Sequence, residues 1–273
     1  MRSSMLVPVA LASLVACAAP EAEPVAPQEV AYTATDFAFA GPDTIAPGVT
    51  TMRMDNHGAS PHHLILARFE EGFGVPDLMA FVDSNPTGEP PFVTWRGAAG
   101  AAMPHASASS TMDLPAGNYV ALCFIPDSAG VPHVMHGMMK EIVVAGARHD
   151  AAVPTAEAVI RMSDFAFVAP VMTAGAHTFH VVNDGPQTHE VQLVRLPEGV
   201  TADQYLAALA PGATAPPPGE DLGGAGALST GLDNYWTVTL TPGNYLLVCF
   251  VPDTDGVPHI MKGMLQAFTV TAG

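Results

Sequence analysis

Basic residues are scarce in this 273-residue chain: 9 Lys and Arg stand against 26 Asp and Glu, a formal net charge of −17. That shortage excludes nucleic acid as a main partner, because phosphates need cationic side chains to displace their counterions. It disfavours docking on anionic headgroups for the same reason. The acidity fits solubility, or a basic protein partner. Cysteine is scarce too, with three in all, so a disulfide framework is excluded. Aromatics make up 7% and charged residues 13%. No apolar run is long enough to span a bilayer. No Gly-rich phosphate loop, metal-hydrolase motif or local hydrolase triad motif is present.

What is abundant is Gly (25), Pro (26) and apolar side chains (49%). That mixture suits many short strands joined by turns better than long helices. The N-terminus has the look of a targeting segment. Arg2 precedes a short apolar run, Met5 to Ala16, that ends in Leu14-Val15-Ala16-Cys17. The ending resembles a bacterial lipobox. It implies a signal peptide over 1–17, lipidation of Cys17, and an exported protein of the cell envelope or periplasm, anchored to a membrane by its N-terminal lipid. The Ala/Pro/Glu-rich residues 18–29 then form a flexible tether.

The rest of the chain repeats itself once. Thr35-Asp36-Phe37-Ala38-Phe39 recurs as Ser163-Asp164-Phe165-Ala166-Phe167, and Asn56-x5-His62 as Asn183-x5-His189. Gly117-Asn118-Tyr119 matches Gly243-Asn244-Tyr245. Cys123-Phe-Ile-Pro-Asp-x-x-Gly-Val-Pro-His133 matches Cys249-Phe-Val-Pro-Asp-x-x-Gly-Val-Pro-His259, followed by Gly137-Met138 and Gly263-Met264. The expected organisation is a first domain over 30–146, a linker over 147–156 and a second domain over 157–273. Cys123 and Cys249 occupy the same place in two separate units, so they are poor disulfide partners.

Strand formers cluster at Val49–Met54, His63–Ala67, Val120–Phe124, Glu141–Val144, His177–Val182, Glu190–Val194, Leu246–Phe250 and Ala267–Val270. Each unit is expected to hold one short helix: a well-capped one from Thr201 to Leu209, and a weaker one around Asp77 to Val82. A long Gly/Pro/Ala-rich loop follows each. The expected fold class is all-β, two tandem sandwiches of Greek-key type.

Alternation puts His62 on a face with Leu64 and Leu66, and His189 with Val191 and Leu193, leaving Glu190 and Gln192 on the opposite face. Cys123 and Cys249 end the later strand. The Pro-Asp-x-x-Gly-Val-Pro turn then delivers His133 and Met138, or His259 and Met264. Two imidazoles, a thiolate and a weak axial thioether are the donor set of blue-copper electron-transfer sites.

At these residues the chain resembles the cupredoxin, or type 1 copper, family. The resemblance implies tandem cupredoxin-like sandwiches with metal ligands His62, Cys123, His133 and Met138 in one site, and His189, Cys249, His259 and Met264 in the other, one copper each. Nine residues separate Cys from the second His. Small family members use far fewer, whereas the type 1 site of copper nitrite reductases is nearly as long. Catalytic multicopper members typically place a His beside the Cys; here the neighbours are Leu122 and Phe124, or Val248 and Phe250. The expectation is therefore no enzyme but a copper-binding electron carrier with a redox or copper-exchange protein as partner. A copper carrier without redox role and a copper-free interaction module are the alternatives. His57, His63, Met103, His105, Met112, Met135 and His136 have no matching counterparts in the second unit; they read as a further soft-metal surface or as scattered loop and packing residues.

Overall fold

The structure is a computed structural model that describes residues 25–85, 87–210, 212–213 and 215–271. The signal peptide and Cys17 lie outside the described residues.

In the first half, β1 (Gln28–Thr35), β2 (Ala38–Ala40) and β4 (Gly48–Asn56) join β7 (Ser107–Leu114) in one layer. β3 (Thr44–Ile45), β9 (Met139–Val144), β8 (Gly117–Leu122), β5 (Ile65–Phe69) and β6 (Val93–Trp95) form the other. The second half repeats the plan. β10 (Ala158–Ser163), β11 (Ala166–Val168), β12 (Gly175–Asn183) and β15 (Asp233–Leu240) make one layer. β13 (His189–Leu196), β14 (Glu220–Leu228), β16 (Gly243–Val248) and β17 (Leu265–Val270) make the other. Each half is thus a two-layer β-sandwich, and the described residues are all-β apart from two short α-helices and two 3-10 turns.

Alternation builds each core. Tyr119, Ala121 and Cys123 point into a cluster with Leu64, Leu66, Met52 and Met54; Tyr245, Leu247 and Cys249 point into its counterpart with Val191, Leu193 and Trp236. The opposite face of the inner strands is covered as well. α1 (Val75–Ser84) sets Leu78 against Ala67, Val120 and Leu122, and α2 (Ala202–Ala208) sets Tyr205 against Val194, Leu246 and Val248. α1 covers Ala67 and Gly226 of β14 lies against Ile65, so both are as buried as Leu64 and Leu66. α2 starts where the sequence places it, with Thr201 capping through the Gln204 amide. α1, the weaker expectation, is the longer helix.

The two loops expected to be irregular are largely extended. Arg96 lies opposite Leu228, Ala99 opposite Ala225 and Ala102 opposite Leu222. Gly97, Gly223 and Gly226 donate backbone hydrogen bonds to Ala227, Ala101 and Ala98 across this seam at 2.7, 2.9 and 3.1 Å. The seam pairs each repeat with its own counterpart, in the manner of a two-fold dimer interface. Small residues are required there: a Cβ on Gly100 would lie 2.6 Å from Gly224 N, and Gly224 itself has φ +152 with the Val191 carbonyl in the place of a Cβ. Tyr235 opposite Thr111 joins the two outer layers into one eight-stranded sheet.

Candidate metal centres

The repeated Asn before each first His shapes the turn that presents it. Asn56 Nδ2 donates to the Ser60 and Ala102 carbonyls, both at 2.9 Å, and its Oδ1 accepts from Gly58 N at 2.8 Å. Asn183 does the same with Gln187, Leu228 and Gly185 at 2.7, 2.8 and 2.9 Å. The turn delivers His62 and His189 fully buried. The outer nitrogen of each is held by a carboxylate from the repeated Asp-Phe-Ala-Phe motif: His62 Nε2 lies 2.7 Å from Asp36 Oδ1, and His189 Nε2 2.6 Å from Asp164 Oδ1. An Nε2–H donated to a carboxylate leaves the Nδ1 lone pair free and fixes the ring.

The long Cys-to-His segment closes on itself. Asp127 N donates to the Val131 carbonyl at 2.9 Å, while Asp127 Oδ1 accepts from Ala129 and Val131 N. Farther in, His133 N donates to the Ile125 carbonyl and Val134 N to that of Cys123. The second half has the same ladder through Asp253, His259 and Ile260. The nine intervening residues therefore form a zipped hairpin, and its base brings Cys and His together.

The result is two convergent donor sets. Cys123 Sγ is 3.9 Å from His62 Nδ1 and 3.5 Å from His133 Nδ1, and the two Nδ1 atoms are 3.1 Å apart. In the second half Cys249 Sγ is 3.5 Å from His259 Nδ1, and the His189 and His259 Nδ1 atoms are 3.0 Å apart. Within each set the donor atoms lie within 4.8 Å of one another. Met138 and Met264 are fully buried in the same apolar clusters as Cys123 and Cys249. Phe37 packs on the His133 ring at 4.7 Å and Phe165 on the His259 ring at 4.9 Å, centroid to centroid.

Burial sets the charge states. It lowers the His62, His133 and His189 imidazoles and brings His259 down to about 4, so neutral ring nitrogens are on offer near neutral pH. It raises the Cys123 thiol to about 11 and Cys249 well above its ordinary value, the latter also through the Glu190 carboxyl. Paired neutral nitrogens beside a desolvated sulfur, with no other polar partner for the Nδ1 atoms, fit a soft cation bound by thiolate and imidazole. Copper meets that description.

The remaining expected donors do not gather. Among the described residues only the two His–Cys–His groups converge. Met112 is core, Met135 is exposed, and His136 pairs with Asp127. His57 and His105 are exposed, and Met103 is half-buried. His63 is not a surface residue: it is buried, and its Nε2 accepts from Phe124 N at 2.7 Å. Its counterpart Glu190 accepts from Phe250 N at 3.0 Å. Alternation alone placed Glu190 and Gln192 on the far face, yet both are buried, Gln192 under the seam where its Oε1 accepts from Ala101 N. Asp36 and Asp164 carry one signal in the sequence, their recurrence in the two matched motifs.

No family model matches the chain, and no curated protein does. Solved structures do. Auracyanin A, a "blue" copper protein from Chloroflexus aurantiacus, is 19% identical, covering 44% of this chain and 100% of its own, with a TM-score of 0.33. A Cu-containing nitrite reductase from Thermus scotoductus is 14% identical over 89% of this chain and 61% of its own, TM-score 0.25. A blue copper oxidase from Nitrosomonas europaea is 12% identical over 90% and 86%, TM-score 0.27. The last two correct the expectation that the chain is no enzyme. Both are enzymes by name. The chain is an all-β protein with two buried His–Cys–His sets, one in each half, whose donors suit copper.

Proposed function

We propose that this is an exported electron-transfer protein with a type 1 copper site in each of two domains, residues 30–146 and 157–273. The observation that carries the proposal is the twofold convergence of two Nδ1 atoms and one Sγ in a dry core. His62, Cys123 and His133, and likewise His189, Cys249 and His259, would hold the metal, with Met138 and Met264 as further thioether donors. Copper, when bound, supplies one-electron redox chemistry.

The protein's own contribution is to keep the donors still. Asp36 and Asp164 fix the first His, the zipped hairpin fixes the second, and Cys ends a paired strand. A preset site needs little rearrangement between oxidation states. The Phe37 and Phe165 rings cover the second His of each set and exclude water from it. Export and lipid anchoring rest on the Met5–Ala16 run and Cys17. The net charge of −17 favours a basic redox partner.

Voltammetry of the copper-loaded chain tests the reading. A reversible one-electron response is expected. Copper that passes to a chelator without any reversible response would favour a metal carrier instead.

A further inference from the structure

The two sites are near copies, so the positions where they differ are informative. The strand registers fix the comparison. Ile65 lies opposite Leu122 as Gln192 lies opposite Val248, and Trp95 lies opposite Ala67 as Asp221 lies opposite Val194. The first half therefore has His63, Ile65 and Trp95 where the second has Glu190, Gln192 and Asp221.

His63 and Glu190 perform the same local task. Each is buried, directly follows the first His, and accepts the backbone N–H of the residue after Cys. The backbone N–H of Glu190 lies 3.4 Å from Cys249 Sγ, and the backbone N–H of His63 makes the matching contact with Cys123. The halves differ in what surrounds that task. On the face of the His62 strand turned away from the core lie His63 and Ile65, with Trp95 on the next strand; on that of the His189 strand lie Glu190 and Gln192, with Asp221 on the next strand. Polarity and hydrogen bonding around the Cys sulfur set the potential of such a site. A polar wall favours the more highly charged, oxidised copper; an apolar wall favours the reduced one.

We infer that the sites are inequivalent by construction: the Glu190–Gln192–Asp221 wall gives the Cys249 site the lower reduction potential, so one electron shared between them rests at the Cys123 site. The exchange balances as one electron lost by Cu(I) in the second half and gained by Cu(II) in the first, after delivery by a one-electron donor protein. This rests on the copper reading above.

The test is a spectroelectrochemical titration of the copper-loaded chain, with Cys123→Ser and Cys249→Ser variants assigning each midpoint and a copper-to-protein ratio taken on every sample. The expected result is two midpoints, the Cys249 site lower by at least a tenfold shift in its reduced-to-oxidised ratio, about 59 mV for one electron. Glu190→Gln keeps an acceptor oxygen for Phe250 N and should raise the second midpoint alone. Asp221→Asn should do so more weakly, and it carries the test if the first variant fails to fold. Coincident midpoints, the reverse order, or a gap that neither variant narrows would overturn the inference and leave the copper reading intact. A parent chain that takes up no copper would overturn both.

Discussion

Removing the carboxylate behind one His should weaken one site and spare the other. Asp36→Ala deletes the 2.7 Å bond to His62 Nε2 and the 2.9 Å bond from Ala59 N. The first loss frees the tautomer: with no acceptor at Nε2, the ring proton can sit on Nδ1, where a metal needs the lone pair. The second loosens the turn that presents His62. Carboxylates behind metal-binding imidazoles typically contribute 10–100-fold in affinity, about 1.4–2.7 kcal/mol. The drop at the first site should fall in that range. Asp36→Asn keeps an acceptor oxygen and should lose less. The assay is competition for Cu(I) with a chelator in a Cys249→Ser background, where only the first site remains. Asp164→Ala in a Cys123→Ser background should mirror the result. Unchanged affinity in both Ala variants would refute the claim that these carboxylates hold the ligand rings.

Three further outcomes follow from the packing. Asn183→Ala removes two donated bonds and one accepted bond at a buried turn, and strands the Leu228 carbonyl at the seam; a loss of about 2–4 kcal/mol in urea-unfolding stability is expected, and a loss below about 0.5 kcal/mol would count against it. Thr201→Ala removes the cap of α2 and should cost about 1 kcal/mol by the same assay, with no change in copper content. Asp221 is held by burial at about 6, against an ordinary 3.8. The unfolded chain gives up that proton first, so stability should fall as pH rises from about 4 to about 6. Asp221→Asn should match the parent near pH 4 and exceed it at pH 7.5 by on the order of 1–3 kcal/mol. Equal stability at both pH values would show that the carboxyl is well solvated.

Much of the site could be read from the sequence because the repeat separates signal from coincidence. A single His on an apolar strand face is unremarkable; His62 and His189, at the same step after a matched Asn, are not. The strand-ending Cys and the following turn were legible for the same reason. Non-local features were not legible. Asp36 meets a His 26 residues away, and alternation within one strand carries no information about that meeting. Glu190 and Gln192 read as outward-facing because period-2 alternation describes a sheet covered on one side, whereas here the second face is covered as well. The Gly- and Ala-rich segments read as loops because strand propensity rewards side chains that pack. At the seam it is backbone approach that selects the residues, and only small ones fit.

The central claim is that each half holds one thiolate-bound copper. The most direct measurement is the visible spectrum of the chain after copper addition, with a copper-to-protein ratio. The account predicts an intense thiolate-to-copper band with two coppers per chain, reduced by Cys123→Ser or Cys249→Ser alone and abolished by both together. A band that survives the double substitution, or a chain with neither band nor tightly bound copper, would contradict it.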